Sequence, residues 1–136
     1  MITWKPVYIH ERNCVTPLGS NVEENWQQLL AGKSAILQQD VGLVRDVFVA
    51  KVPYTVAEVG NEADHETTLE GMLLKAAEPI VKKHKPSPRT AFVLATTKGE
   101  IGYLAESDAA QAMLTVLARK IARKLHIVTE PIIVSH

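Results

Sequence analysis

Ala91-Phe92-Val93-Leu94-Ala95-Thr96-Thr97 is the stretch on which the reading of the fold turns. Its first five residues are apolar without alternation, the pattern of a strand covered by helices on both faces and central in its sheet. Downstream, Ser107 or Asp108 can cap a helix that reaches about residue 124. Its apolar positions, from Ala109 and Ala112 through Met113, Val116, Leu117 and Ile121 to Leu125, span more than one narrow stripe and predict deep burial. The chain then closes with Pro131-Ile132-Ile133-Val134-Ser135-His136, a strand pattern that meets no turn or cap.

Upstream, Leu69, Met72, Leu73, Ala76, Ala77 and Ile80 keep helical spacing over residues 67–85. Lys82, Lys83 and Lys85 complement the negative end of that helix. Pro79 lies inside it and removes a backbone hydrogen bond, which predicts a kink or an early end, and Pro86-Ser87-Pro88 stops it. Residues 61–66 read as a polar linker. Between residues 34 and 61 the only clear element is the strand Val47-Phe48-Val49-Ala50-Lys51-Val52, ended by Pro53.

Nearer the start, Thr16-Pro17-Leu18-Gly19 is turn chemistry, and Ser20 or Asn21 offers an N-cap oxygen with Glu23 and Glu24 placed to complete a capping box. Val22, Trp26, Leu29 and Leu30 then share one helical face, and Gly32 ends the helix in a left-handed conformation. Val7-Tyr8-Ile9 predicts a first strand, with Cys14-Val15 a second short run after the polar break at Glu11, Arg12 and Asn13. Strand and helix thus alternate along the chain, which predicts an α/β fold with a largely parallel, helix-covered sheet.

The 136 residues are enough for one core and too few for two ordinary domains. Fifteen basic residues balance fifteen acidic ones, so no electrostatic footprint for nucleic acid or an anionic membrane is present. No apolar run approaches the ~18 residues of a membrane span. The start of the chain lacks a secretory pattern, and the single cysteine, Cys14, has no intramolecular partner, so a reducing cytoplasm is the expected compartment.

The chemistry-bearing residues are sparse. Cys14 has no helix N-terminus immediately after it and reads as a small buried hydrophobe. His10, His65, His84, His126 and His136 form no i, i+4 pair and have no cysteine at ligand spacing, so no metal site is expected. Asp64-His65-Glu66 reads as solvated linker. Thr96-Thr97-Lys98-Gly99-Glu100-Ile101-Gly102 follows a strand, where α/β proteins gather ligands, but it is neither a P-loop nor a dinucleotide fingerprint. Glu23/Glu24 and Glu100/Glu106 are accounted for by capping and solvation.

Taken together, Val7-Tyr8-Ile9, Val15-Thr16-Pro17-Leu18-Gly19, Asn21-Val22-Glu23-Glu24-Asn25-Trp26 and Leu29-Leu30-Ala31-Gly32-Lys33-Ser34-Ala35-Ile36 resemble the opening of a β-ketoacyl synthase. The family's V-T-P-L-G turn, N-x-E-E-x-W helix and L-x-A-G-K-S-G-I segment stand here in order. The stretch from residue 91 to 102 is similar to a later strand and its glycine-bearing loop, in a T-T-K-G form. Residues 131–136 resemble the strand that runs into the catalytic cysteine. Departures are the His10-Glu11-Arg12-Asn13 segment in place of a glycine-rich turn, Ala35 in place of glycine, and a shortened stretch between Phe48 and Ala91.

The resemblance implies the N-terminal half of a thiolase-like fold, with residues 1–136 a single domain fragment that stops just before the expected cysteine. The implied reaction is decarboxylative condensation of acyl and malonyl thioesters on acyl carrier protein, in fatty-acid or polyketide-type synthesis. The implied assembly is a homodimer or a heterodimer, without nucleic acid, membrane, metal or cofactor. The nucleophile, a thiolate at a helix N-terminus, and the two later histidines, or histidine and asparagine, have no counterpart within residues 1–136, so the chain alone is expected to be inert. Thr97, Ser135 and His136 are expected to line the pocket beside that missing nucleophile. The competing expectation is a non-catalytic, chain-length-factor-like partner of a condensing enzyme.

Overall fold

A computed structural model of the chain describes residues 5–52, 68–97 and 113–135. The elements run α1 (Val22–Leu30), β1 (Leu37–Val41), β2 (Val44–Val49), α2 (Thr68–Lys83), β3 (Val93–Ala95), α3 (Leu114–Lys124) and β4 (Ile132–Val134). The architecture is mixed α/β. Among the described residues the strands form two separate two-stranded sheets, β1 with β2 antiparallel and β3 with β4 parallel, in place of the one largely parallel sheet that the alternation predicts.

The core gathers on α3. Leu117, Ala118, Ile121 and Ala122 recur at helical spacing and are buried, and Leu117, Ala118 and Ile121 cluster with Leu125, with Leu74 of α2 and with Leu94 of β3. Each fully buried aliphatic side chain there contributes about 1.5–3 kcal/mol relative to exposure. Deep burial of the middle of this helix matches its sequence pattern. Its start differs, because Met113 is extended at ψ 132° and serves as N-cap without a side-chain bond, so the helix begins at Leu114. The predicted caps, Ser107 and Asp108, lie outside the described residues.

Leu94 is 4% exposed, yet Val93 is 53% exposed, and β3 pairs with β4 alone among the described strands. The prediction of a central strand buried on both faces is therefore corrected. The core on α2 and α3 takes up Leu94, and no described element covers the opposite face.

The first predicted strand is also corrected. Residues 7–9 form no strand, and Tyr8 is 81% exposed with Val7 and Ile9 more so. β-Propensity is realised only where a neighbouring strand offers its N–H and C=O groups, and no described strand pairs with this segment. Side chains tie its end to α2 instead: Asn13 Nδ2 donates to the Ala76 carbonyl at 3.0 Å, and Lys83 pairs with Glu11. α2 runs through Pro79 without ending. Pro79 has no N–H to give the preceding turn, and the bond from Asn13 reaches that same turn.

The strand predicted over residues 47–52 is corrected to β2, which ends at Val49, and it forms a hairpin with the unpredicted β1, Leu37 standing opposite Val49 and Gln38 opposite Phe48. Gly42 at its tip has φ +59°, where glycine carries no Cβ penalty. The register shifts between Gln39 and Val41, and Asp46 sits at φ +55° with its N–H on Asp40 Oδ1. That irregularity breaks strict alternation and hides the strand pattern.

Candidate functional site

The segment that carries the resemblance folds into a hydrogen-bonded knot at the head of α1. Thr16 and Gly19 exchange backbone bonds at 2.9 and 3.2 Å, closing the turn over Pro17 and Leu18. A Cβ on Gly19 would lie 2.6 Å from the Glu24 Cβ, so only glycine fits. Asn21 caps the helix through Oδ1 to the Glu24 N–H at 2.8 Å, and Glu24 Oε2 accepts from the Ser20 N–H at 2.7 Å. The reciprocal bond thus falls one residue before the N-cap rather than on it.

Asn25, which the apolar pattern did not single out, is buried and central to this knot. Its Nδ2 donates to the Gly19 and Asn21 carbonyls at 3.1 and 2.7 Å, and its Oδ1 accepts from the Thr16 hydroxyl. These motif residues therefore build structure. Trp26, Leu29 and Leu30, read as the covered face, are more than half exposed because no described element packs on them. Beside the knot, Pro17, Leu18, Gln28, Lys33, Ser34 and Lys51 line part of an open groove of about 360 Å³.

The second region is the carboxyl edge of the parallel pair. Val93, Leu94 and Ala95 stand beside Ile132, Ile133 and Val134, and the Thr96 N–H continues the ladder onto the Val134 carbonyl at 3.1 Å. This register puts Thr96 level with Ser135, and Thr97 follows in an exposed bend. Two of the three predicted pocket residues, Thr97 and Ser135, thus stand at one sheet edge, both exposed. His136 and the Lys98-to-Gly102 part of the loop lie outside the described residues.

The opposite edge is tied down by the Ile132 N–H on the Phe92 carbonyl at 2.9 Å and the Thr129 hydroxyl on the Thr90 carbonyl. A braced base with hydroxyls on its open edge can orient a polar group such as a carbonyl. Thr97 and Ser135 supply no thiolate or general base.

The third region joins residues far apart in sequence. His10 and His84 stack edge to face with ring centroids 4.5 Å apart, and His84 Nε2 lies 3.5 Å from Glu11 Oε1. One ligand atom from each of His10, Glu11 and His84 lies within 4.8 Å of the others. Lys83 also reaches Glu11, and its hydrogen bond, followed by that of His84, holds the Glu11 carboxyl below its ordinary pKa. This grouping differs from the expectation of no metal-ligand cluster, because local spacing carries no information on side chains as far apart in sequence as His10 and His84. Cys14 is half-buried and free.

Glu70 is a further polar site missed by pattern reading. It is 1% exposed in the first turn of α2, with Oε2 2.7 Å from Lys120 Nζ and Oε1 2.8 Å from Lys124 Nζ of α3. The two lysines are a helical turn apart, so one carboxylate engages both. No described helix is long and apolar enough to cross a membrane. Compared with family models, curated proteins and solved structures, the chain matches none of them.

Proposed function

We propose that the chain is the N-terminal part of a cytoplasmic β-ketoacyl-[acyl-carrier-protein] synthase with a thiolase-like fold. Its partners are acyl carrier protein, acyl and malonyl thioesters, and a second subunit. The motif series over residues 7–36 supports this reading from the sequence side. The observation that carries it is the parallel register of β3 with β4, which sets the strand resembling the approach to the nucleophile beside the strand of the T-T-K-G loop. In such an enzyme Thr97 and Ser135 flank the pocket mouth, where hydroxyls orient a thioester carbonyl, and the residues performing condensation lie beyond His136.

The reading frame of the source gene tests this directly. A cysteine two positions past His136, together with condensation of acyl and malonyl thioesters by the full product, supports the synthase. Glutamine or glutamate at that position, with condensation only alongside a second subunit, gives the chain-length-factor-like role. A stop codon after His136 removes the condensing function.

A further inference from the structure

We propose that His10, Glu11 and His84 form a binding site for one divalent first-row transition ion of the zinc class, independent of the condensing role. Two imidazoles and one carboxylate are the donor set of three-ligand zinc sites that leave a fourth position to water. With metal–nitrogen and metal–oxygen bonds of about 2.0–2.2 Å, tetrahedral ligand atoms stand roughly 3.3–3.6 Å apart. The His84-to-Glu11 separation of 3.5 Å already has that length, and the full set lies within 4.8 Å. Small rotations of His10 and His84, both exposed, close the remainder. Magnesium and calcium favour oxygen ligands and do not suit this set.

The ligands are carried on anchored backbone. His84 is the first residue after α2, and its N–H bonds the Ile80 carbonyl at 2.8 Å. His10 and Glu11 precede Asn13, whose side chain holds the segment to Ala76. An ion bound there would staple the extended N-terminal segment to the end of α2, where side-chain contacts now hold it. Lys83 is the built-in competitor, because its ammonium and the cation share one carboxylate. Removing that ammonium therefore frees Glu11 for the metal.

Titration of the untagged 136-residue chain with zinc chloride by calorimetry, and with cobalt(II) by visible absorption, tests the site. One ion per chain is expected, with cobalt d–d bands of low-coordinate intensity and no heat from magnesium chloride. His10→Ala and His84→Ala should each weaken zinc binding by about tenfold or more, with far-UV circular dichroism unchanged. His126→Ala should leave binding alone, and Lys83→Met should tighten it. Unchanged affinity in either His10→Ala or His84→Ala, or a Lys83→Met chain that binds no more tightly than the parent, overturns the proposal.

Discussion

Glu70 shows what a single buried charge requires. Its carboxylate is almost wholly removed from water, while Lys120 and Lys124 are a quarter to a third exposed. The two ammonium groups offset part of the desolvation of Glu70. Loss of one partner in such a cluster costs about 3–5 kcal/mol, and the lysines' access to water favours the lower end. Lys120→Met with Lys124→Met should therefore destabilise the chain by about 3 kcal/mol in urea unfolding, and adding Glu70→Gln should recover most of that loss. The Glu11 tether, less buried than Glu70, is weaker and depends on pH. Because Lys83 and then His84 lower the Glu11 pKa in the folded chain, its contribution is present above 4.5 and fades as pH falls through the lowered value. The Glu11 carboxyl carbon should titrate by NMR with a midpoint below 4.5, and a midpoint at or above that value would contradict the contact.

At the scale of elements, two helices end with the same hydrogen-bond pattern on different residues. After α1, Gly32 and Lys33 return their N–H groups to the Leu29 and Gln28 carbonyls, with Gly32 at φ +66°. After α3, His126 and Ile127 return theirs to Arg123 and Ala122, with His126 at φ +57°. The left-handed position suits glycine and opposes a Cβ. Gly32→Ala should thus lower stability by about 1 kcal/mol, and His126→Gly should raise it by roughly 0.5–1 kcal/mol. Both shifts are readable as opposite changes in thermal midpoint, although neither residue belongs to the core cluster.

On the scale of the whole molecule, apolar surface is plentiful and charge repulsion is small. Trp26, Leu29 and Leu30 on α1, Phe48 on β2 and Ile132 on β4 are all more than half exposed, and the formal net charge is zero. Patches of this kind recruit protein, and a two-stranded parallel sheet leaves pairing groups at its edges. Light scattering of the concentrated chain should give a mass above the 15.0 kDa of one copy, and Val134→Lys on the half-exposed β4 should shift it toward the monomer. A clean monomer for the parent chain would contradict this picture.

By itself, the sequence determined the features that depend on near neighbours. The Thr16-to-Gly19 turn, the Asn21 cap, the left-handed Gly32, the span of α2 and the buried stripe of α3 follow from local hydrogen bonding and a period of 3.6, and all were legible. Tertiary structure decided what depends on partners distant along the chain. Residues 7–9 carry strand-forming side chains but no strand, because a strand exists only with a neighbour to pair with. Only the end of β2 was legible, and β1 was not, because its bulge interrupts the period of two on which recognition of a strand rests. Resemblance alone groups Thr97 with Ser135, and their placement at one edge is decided by the parallel register of β3 and β4. Glu70 with its two lysines, and His10 and Glu11 with His84, could not be read from spacing at all. Their partners lie tens of residues away, and only the packing of α2 on α3 and the path of the N-terminal segment along α2 bring them together.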